Sequence, residues 1–195
     1  LGEYLGLTGH MLTGAEAVYA GLADVLCSSA DLHALWSQLP ALDWTQAAQA
    51  MQTFTQALQA ATQAAKQTTP SWWTAGLNTA FAASDLTSIV QALSASPDMA
   101  QATEALRKRS PLMLAVSLEQ IRRARHMSLS DELRMERDMV RHSFHPTHLQ
   151  RTPAQSDTVE GIRALAVDKD HAPRWQPARI EDVDLAEVAA FFVSP

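Results

Sequence analysis

The sequence predicts a mainly α-helical chain, and three observations carry that prediction. Apolar residues recur at steps of three and four through most of its length. Ser, Thr and Asp repeatedly stand just ahead of such runs, where their side chains would cap a helix start. One apolar run, residues 22–26, has the length and composition of a strand, so at most one or two short strands are expected.

The elements follow in order. Thr13 and Glu16 have the spacing of a capping box, predicting a helix over 15–20 that Gly21 ends. A brief helix over 31–39 stops at Pro40. Over residues 44–67, Ala and Gln fill 15 of 24 positions, so propensity alone favours a helix there. Trp44, Ala47, Met51, Phe54, Leu58, Ala61 and Ala65 would form its apolar face. The rings of Trp72 and Trp73 suit burial in a core or at an interface. Asp85 caps a helix over 86–93, and Ser96-Pro97-Asp98 starts another that ends in Arg107-Lys108-Arg109. Ser110-Pro111 launches a helix over 112–125, with Leu114, Leu118 and Ile121 along one side. Ser128, with Asp131 and Glu132 complementing the dipole, opens a helix that runs to Phe144. Residues 145–157 read as a loop because they hold two prolines and many polar groups. Residues 160–167 read as helix, Asp168 to Pro177 as a turning segment, and 184–193 as a closing amphipathic helix.

Composition excludes several classes of function. A chain that is 47% hydrophobic and 18% charged has material for a core and is too apolar for disorder. A net charge of −6 argues against a general nucleic-acid binder. The single cysteine, Cys27, rules out an internal disulfide and a cysteine-built zinc site. The uncharged stretch 44–65 is studded with Gln and Thr, so it is not a membrane span. The chain opens on Leu1-Gly2-Glu3 with no initiator Met and no signal-peptide pattern, and it reads as starting mid-protein. Before Pro97 there are six acids and one base, against 15 acids and 14 bases afterwards. That imbalance fits either two packing environments or one domain whose helices are differently solvated, and the second is preferred.

Spacing alone yields no catalytic site. His142, His145 and His148 cluster, with His126 and His171 elsewhere, but two of them sit in a proline-broken loop and no metal-ligand spacing occurs. Cys27 follows an apolar run, where a buried inert thiol is the commoner outcome than a nucleophile. No GxSxG, GxGxxG or GxxxxGK[ST] is present. The bases between Arg107 and Arg141 interleave with acids, and pairs such as Glu119–Arg123 and Arg134–Asp138 can bridge along a helix. A solvated charged face is preferred there over a phosphate-bearing ligand.

Two segments carry a resemblance. Tyr4-Leu5-Gly6-Leu7-Thr8-Gly9, then Leu12-Thr13-Gly14-Ala15-Glu16-Ala17 and Ala20-Gly21-Leu22-Ala23, resembles the crotonase superfamily. Glu160-Gly161-Ile162-Arg163-Ala164-Leu165, with Asp168-Lys169-Asp170 and Pro173-Arg174-Trp175-Gln176-Pro177, is similar to the C-terminal signature of 3-hydroxyisobutyryl-CoA hydrolases. The resemblance runs nearly end to end, over roughly the C-terminal half of such a protein. In one departure, Phe144 lacks a preceding Asp and is separated from Glu160-Gly161 by a 15-residue loop, leaving the acyl substrate open.

The resemblance implies a thioesterase of valine breakdown, cleaving a short 3-hydroxyacyl-CoA with two backbone N–H groups on the oxyanion and acidic residues driving attack. It places those groups upstream of Leu1, so that none of Glu3, Asp24 or Asp43 is catalytic and the chain alone is inactive. No cofactor is implied beyond coenzyme A as part of the substrate. Residues 1–30 would be the tail of the crotonase-like core, and 31–195 a helical C-terminal domain with a loop at about 145–158. Arg163, Lys169 and Trp175 are candidates to touch substrate or CoA, although a turn that pins the final helix is the preferred reading of that segment. The implied partner is the N-terminal catalytic half, contacted through Trp72, Trp73 and the 15–20 helix, with self-association expected through the same surfaces. The compartment would be cytoplasmic for a bacterial source. A hydratase or isomerase of the same superfamily, and a helical interaction module without chemistry, are the alternatives.

Overall fold

A computed structural model describes residues 1–56 and 58–194. Its described residues form twelve α-helices and no strand. They gather into two compact units, Met11–Thr74 and a larger one joining Leu1–His10 to Ala75–Pro195.

The smaller unit begins with α2, which follows α1 (Gly2–Thr8) of the larger unit and spans Gly14–Tyr19. The capping box forms as predicted: the Glu16 N–H donates to Thr13 Oγ1 (3.3 Å) and the Thr13 N–H to Glu16 Oε2 (2.7 Å). Gly21 stops the helix at φ 72°, and the Leu22 and Gly21 N–H groups close back on Ala17 and Val18 carbonyls. Residues 22–26 are not a strand. The Leu26 N–H donates to the Thr62 hydroxyl (3.0 Å), so a side chain satisfies a donor that a strand would commit to its neighbour.

Next come α3 (Leu32–Gln38), α4 (Ala47–Gln56) and α5 (Gln59–Gln67). The helix predicted over 44–67 is therefore two helices behind a 3₁₀ turn at Trp44–Gln46, and Ala57 lies outside the described residues. Its predicted apolar face is only partly the buried one. Trp44 and Met51 are exposed, whereas Ala50, Thr62 and Ala65 are buried. Small residues let α2 and α5 pack closely, so packing is decided by close approach rather than by the largest side chains. Trp72 and Trp73 are used inside this unit. Trp72 Nε1 donates to Glu16 Oε1 (2.6 Å), and Trp73 meets Tyr19 edge-on at 5.6 Å.

The larger unit contains α1, α6 (Ala75–Phe81), α7 (Leu86–Ser94), α8 (Ala100–Arg107), α9 (Pro111–Ala124), α10 (Leu129–Phe144), α11 (Asp157–Ile162) and α12 (Leu185–Ala190). Helices α1 and α6 lie outside the helices that the sequence predicts. The caps at Asp85, Ser110 and Ser128 form as predicted, each accepting the N–H three residues on. The core centres on Ile89 and Leu93 of α7, Leu106 of α8 and Val116 of α9, all fully buried. Burying each such side chain is worth about 1.5–3 kcal/mol.

Helix α1 is tied to α9 by a buried carboxylate. Glu3 accepts from Arg122 Nε (3.1 Å) and Nη2 (3.3 Å), and from Arg125 Nη2 (2.6 Å). The segment predicted as a loop, 145–157, contains 3₁₀ turns at Pro146–Leu149 and Pro153–Gln155, and Asp157 already opens α11. The helix continues as a π turn over Arg163–Val167.

Candidate functional site

A cavity of about 470 Å³ opens within the larger unit, between α1, the start of α9 and the segment from Gly161 to Trp175. Three of its lining residues have basic side chains: Lys108, Arg109 and His171. None is acidic. Leu7, Met113, Leu165, Pro173 and Trp175 supply an apolar surface, and Ser110 and Ser117 add hydroxyls. Cationic donors beside an aromatic and aliphatic wall suit an anionic ligand that also carries an apolar or ring-bearing part.

The walls are held by short-range chemistry. Arg109 reaches back across Gly9 to donate to the Thr8 carbonyl (3.3 Å). Lys108 pairs with Glu104 (2.6 Å) at the surface, where such a pair is weak and leaves the amine available. Its carbonyl accepts from Trp175 Nε1 (3.2 Å). Trp175 lies so close over Gly161 that a Cβ there would stand 3.3 Å from its ring, so that approach depends on the missing side chain. Ser110 is buried, accepts the Met113 N–H (3.1 Å) and donates to Asp157 Oδ2 (2.5 Å). Burial pushes the Asp157 carboxyl up from its ordinary value, against the hydrogen bonds from Ser110 and Gln176.

Of the three residues singled out in the sequence, Trp175 lines the cavity and the other two do not. Arg163 commits all five of its N–H donors. Nε and Nη2 reach Glu160 (2.9 and 2.8 Å), Nη1 reaches Asp168 (2.6 Å) and Asp170 (2.7 Å), and Nη2 reaches the Ala172 carbonyl (3.2 Å). Those bonds hold the Glu160 carboxyl down at about 2 and raise the Arg163 guanidinium. The Asp168–Asp170 turn is thus pinned to the end of α11 through Arg163. Lys169 is exposed at its tip with φ 56°.

The remaining candidates are dispersed. Of the basic cluster, Lys108 and Arg109 enter the cavity, Arg122 and Arg125 hold Glu3, and Arg123 both pairs with Glu119 (2.7 Å) and lies over the Phe192 ring (4.1 Å). Arg134 reaches back one turn to Asp131 (2.7 Å) instead of forward to Asp138, which Arg137 takes (2.8 Å). The His142 and His148 rings lie 4.1 Å apart, tilted by 54°, while no group of three metal-binding side chains occurs among the described residues. Cys27 is half-buried rather than buried. Asp157 went unnoticed in the sequence because its acceptor role depends on Ser110, 47 positions away.

The described residues form a helical fold with a cavity walled by basic side chains and a tryptophan, and its similarity to known proteins places it in a family. The model of the enoyl-CoA hydratase/isomerase family matches residues 1–192, so the chain belongs to that family. It is 32% identical, over 98% of its length and 50% of the relative's, to 3-hydroxyisobutyryl-CoA hydrolase 1 of Arabidopsis thaliana. An enoyl-CoA hydratase from Rhodobacter sphaeroides is similar in structure, with TM-score 0.66 and 28% identity, covering 99% of this chain and 51% of its own. A carnitinyl-CoA dehydratase from Mycobacterium thermoresistibile matches with TM-score 0.71 and 27% identity, covering all of this chain and 51% of its own. The chain therefore spans about half the length of the relatives it matches. No described helix is long and apolar enough to cross a membrane.

Proposed function

We propose that this chain supplies the helical half of an acyl-CoA thioester hydrolase acting on 3-hydroxyisobutyryl-CoA, a step of valine breakdown. The observation that supports this most is the end-to-end similarity to a hydrolase of that substrate over half of its length. In this reading, the thioester chemistry resides in the other half of such a protein. The present chain contributes the cavity walled by Lys108, Arg109 and Trp175, where the phosphate-bearing part of CoA would meet cationic donors and a ring. Arg163 then acts by shaping the cavity's outer segment, and Lys169 by lending positive charge at its approach. Coenzyme A enters as part of the substrate, and the chain alone is inactive.

A second reading, hydration or dehydration of an acyl-CoA, is favoured by the two solved structures, an enoyl-CoA hydratase and a carnitinyl-CoA dehydratase. One experiment separates the two. Thiol release from 3-hydroxyisobutyryl-CoA is followed for this chain and for a family-length protein that carries it, alongside hydration of a short enoyl-CoA. Thioesterase activity confined to the longer protein supports the proposal. Hydratase activity alone selects the second reading, and thioesterase activity in this chain alone overturns the division of labour.

A further inference from the structure

Two carboxylates on one face of α11 grip the segment that carries Trp175. Glu160 Oε1 accepts the Arg174 N–H (2.7 Å) and, three residues earlier, Asp157 Oδ1 accepts the Gln176 N–H (3.0 Å). Trp175 lies between those two anchor points. The i, i+3 spacing that puts Asp157 and Glu160 on neighbouring turns therefore fixes the backbone on both sides of the tryptophan.

The two grips are not equivalent. Glu160 is also spent on Arg163 and sits nearer the surface. Asp157 is buried, and its second oxygen takes the Ser110 hydroxyl at 2.5 Å. Ser110 both lines the cavity and caps α9, directly after Lys108 and Arg109. One carboxylate thus joins the two walls of the cavity: the Lys108–Ser110 wall through a hydroxyl and the Trp175 wall through a backbone N–H. The Trp175 indole closes the circuit by donating to the Lys108 carbonyl (3.2 Å). A buried acceptor that receives two hydrogen bonds from different segments sets their separation more firmly than either would alone.

We infer that Asp157 is the positioning residue of this cavity, setting the distance between its cationic wall and its tryptophan wall. The inference rests on the proposal that the cavity receives coenzyme A, and it deepens that proposal by naming the residue that shapes the site without touching ligand. Losing the carboxylate frees both walls. Replacing it by an amide retains both contacts, because the Asn oxygen can accept from Gln176 while its NH₂ donates to a lone pair of Ser110.

The test uses the whole chain with its five tryptophan indoles ¹⁵N-labelled, Trp175 being assigned through Trp175→Phe, and coenzyme A as the titrant. In Asp157→Ala the Trp175 indole resonance is expected to move, the other four to stay, and coenzyme A binding to weaken about tenfold or more, as for loss of a hydrogen bond to a charged group. Asp157→Asn is expected to restore both the resonance and most of the affinity. An unmoved Trp175 resonance in Asp157→Ala overturns the inference whether or not coenzyme A binds. So does an Asn variant as impaired as the Ala variant while its other four indoles are native. Failure of the unaltered chain to bind coenzyme A overturns the proposed use of the cavity instead, and the indole resonances then decide the role of Asp157.

Discussion

Acid should weaken the packing of the C-terminal helix through one histidine. The His148 ring lies 4.1 Å from that of His142, tilted by 54°, and meets Phe191 edge-on at 4.5 Å, and both of its ring nitrogens are buried without a hydrogen-bond partner. Burial, then the proximity of His142 and Arg151, pulls its pKa from 6.5 down to about 4. The basic groups facing it are His142 from α10, whose Nε2 bonds the Val193 carbonyl (2.9 Å), and Arg151, which pairs with Glu187 of α12 (2.6 Å). Because the folded pKa is the lower one, both states are neutral above about pH 6.5 and the histidine carries no penalty there. As pH falls, the unfolded chain takes the proton first, so stability drops until both states are protonated below about pH 4. At pH 5 the full shift would cost about 2 kcal/mol at 1.36 kcal/mol per unit, and partial solvent screening reduces that to about 1 kcal/mol. Urea unfolding at pH 7.5 and pH 5, for the chain and for His148→Phe, measures it. The phenylalanine keeps a ring against Phe191 and cannot be protonated, so its stability should fall about 1 kcal/mol less over that interval. Equal losses in the two proteins would refute the reasoning.

Three further outcomes follow from the same structure. Glu3→Ala should destabilise the chain by about 3 kcal/mol in urea unfolding, because it strips the partner from the half-buried Arg122 and unties α1 from α9. Gly161→Ala should shift the Trp175 indole resonance, since the new methyl would stand 3.3 Å from the ring, while the midpoint of unfolding moves by less than about 1 kcal/mol. Glu160 is held at about 2 by Arg163, so its ionised form supports the Asp168–Asp170 turn above the usual carboxylate range and fails as pH falls through about 2. Glu160→Gln should therefore loosen that turn at neutral pH, seen as faster proteolysis between Asp168 and Pro173.

The helical fold was legible because its signals are local. Thr13, Asp85, Ser110 and Ser128 each mark a helix start within four residues, and each forms the bond its spacing implies. What the sequence misplaced depends on distant partners. Residues 22–26 have a strand's composition, but the donor at Leu26 is taken by Thr62, 36 positions away. The apolar face drawn on 44–67 followed helical spacing: its Ala65 is buried, but its Trp44 and Met51 are exposed, and Ala50 and Thr62, which lie off it, are buried where small residues permit close packing. Of the site, Trp175 was visible through its motif. Lys108, Arg109 and Ser110 stood in a charged helix end and a cap whose ordinary explanations were sufficient, and only the return of residues 157–176 onto them makes a cavity.

In the proposed function, the cavity in the larger unit is where this chain meets a CoA thioester. The most direct measurement is a titration of coenzyme A into the ¹⁵N-labelled chain, read residue by residue. Shifts gathered on Lys108, Arg109, Ser110, Gly161 and Trp175, and lost in Arg109→Ala, are the predicted result. No shift at millimolar coenzyme A, or shifts confined to Met11–Thr74, would contradict it.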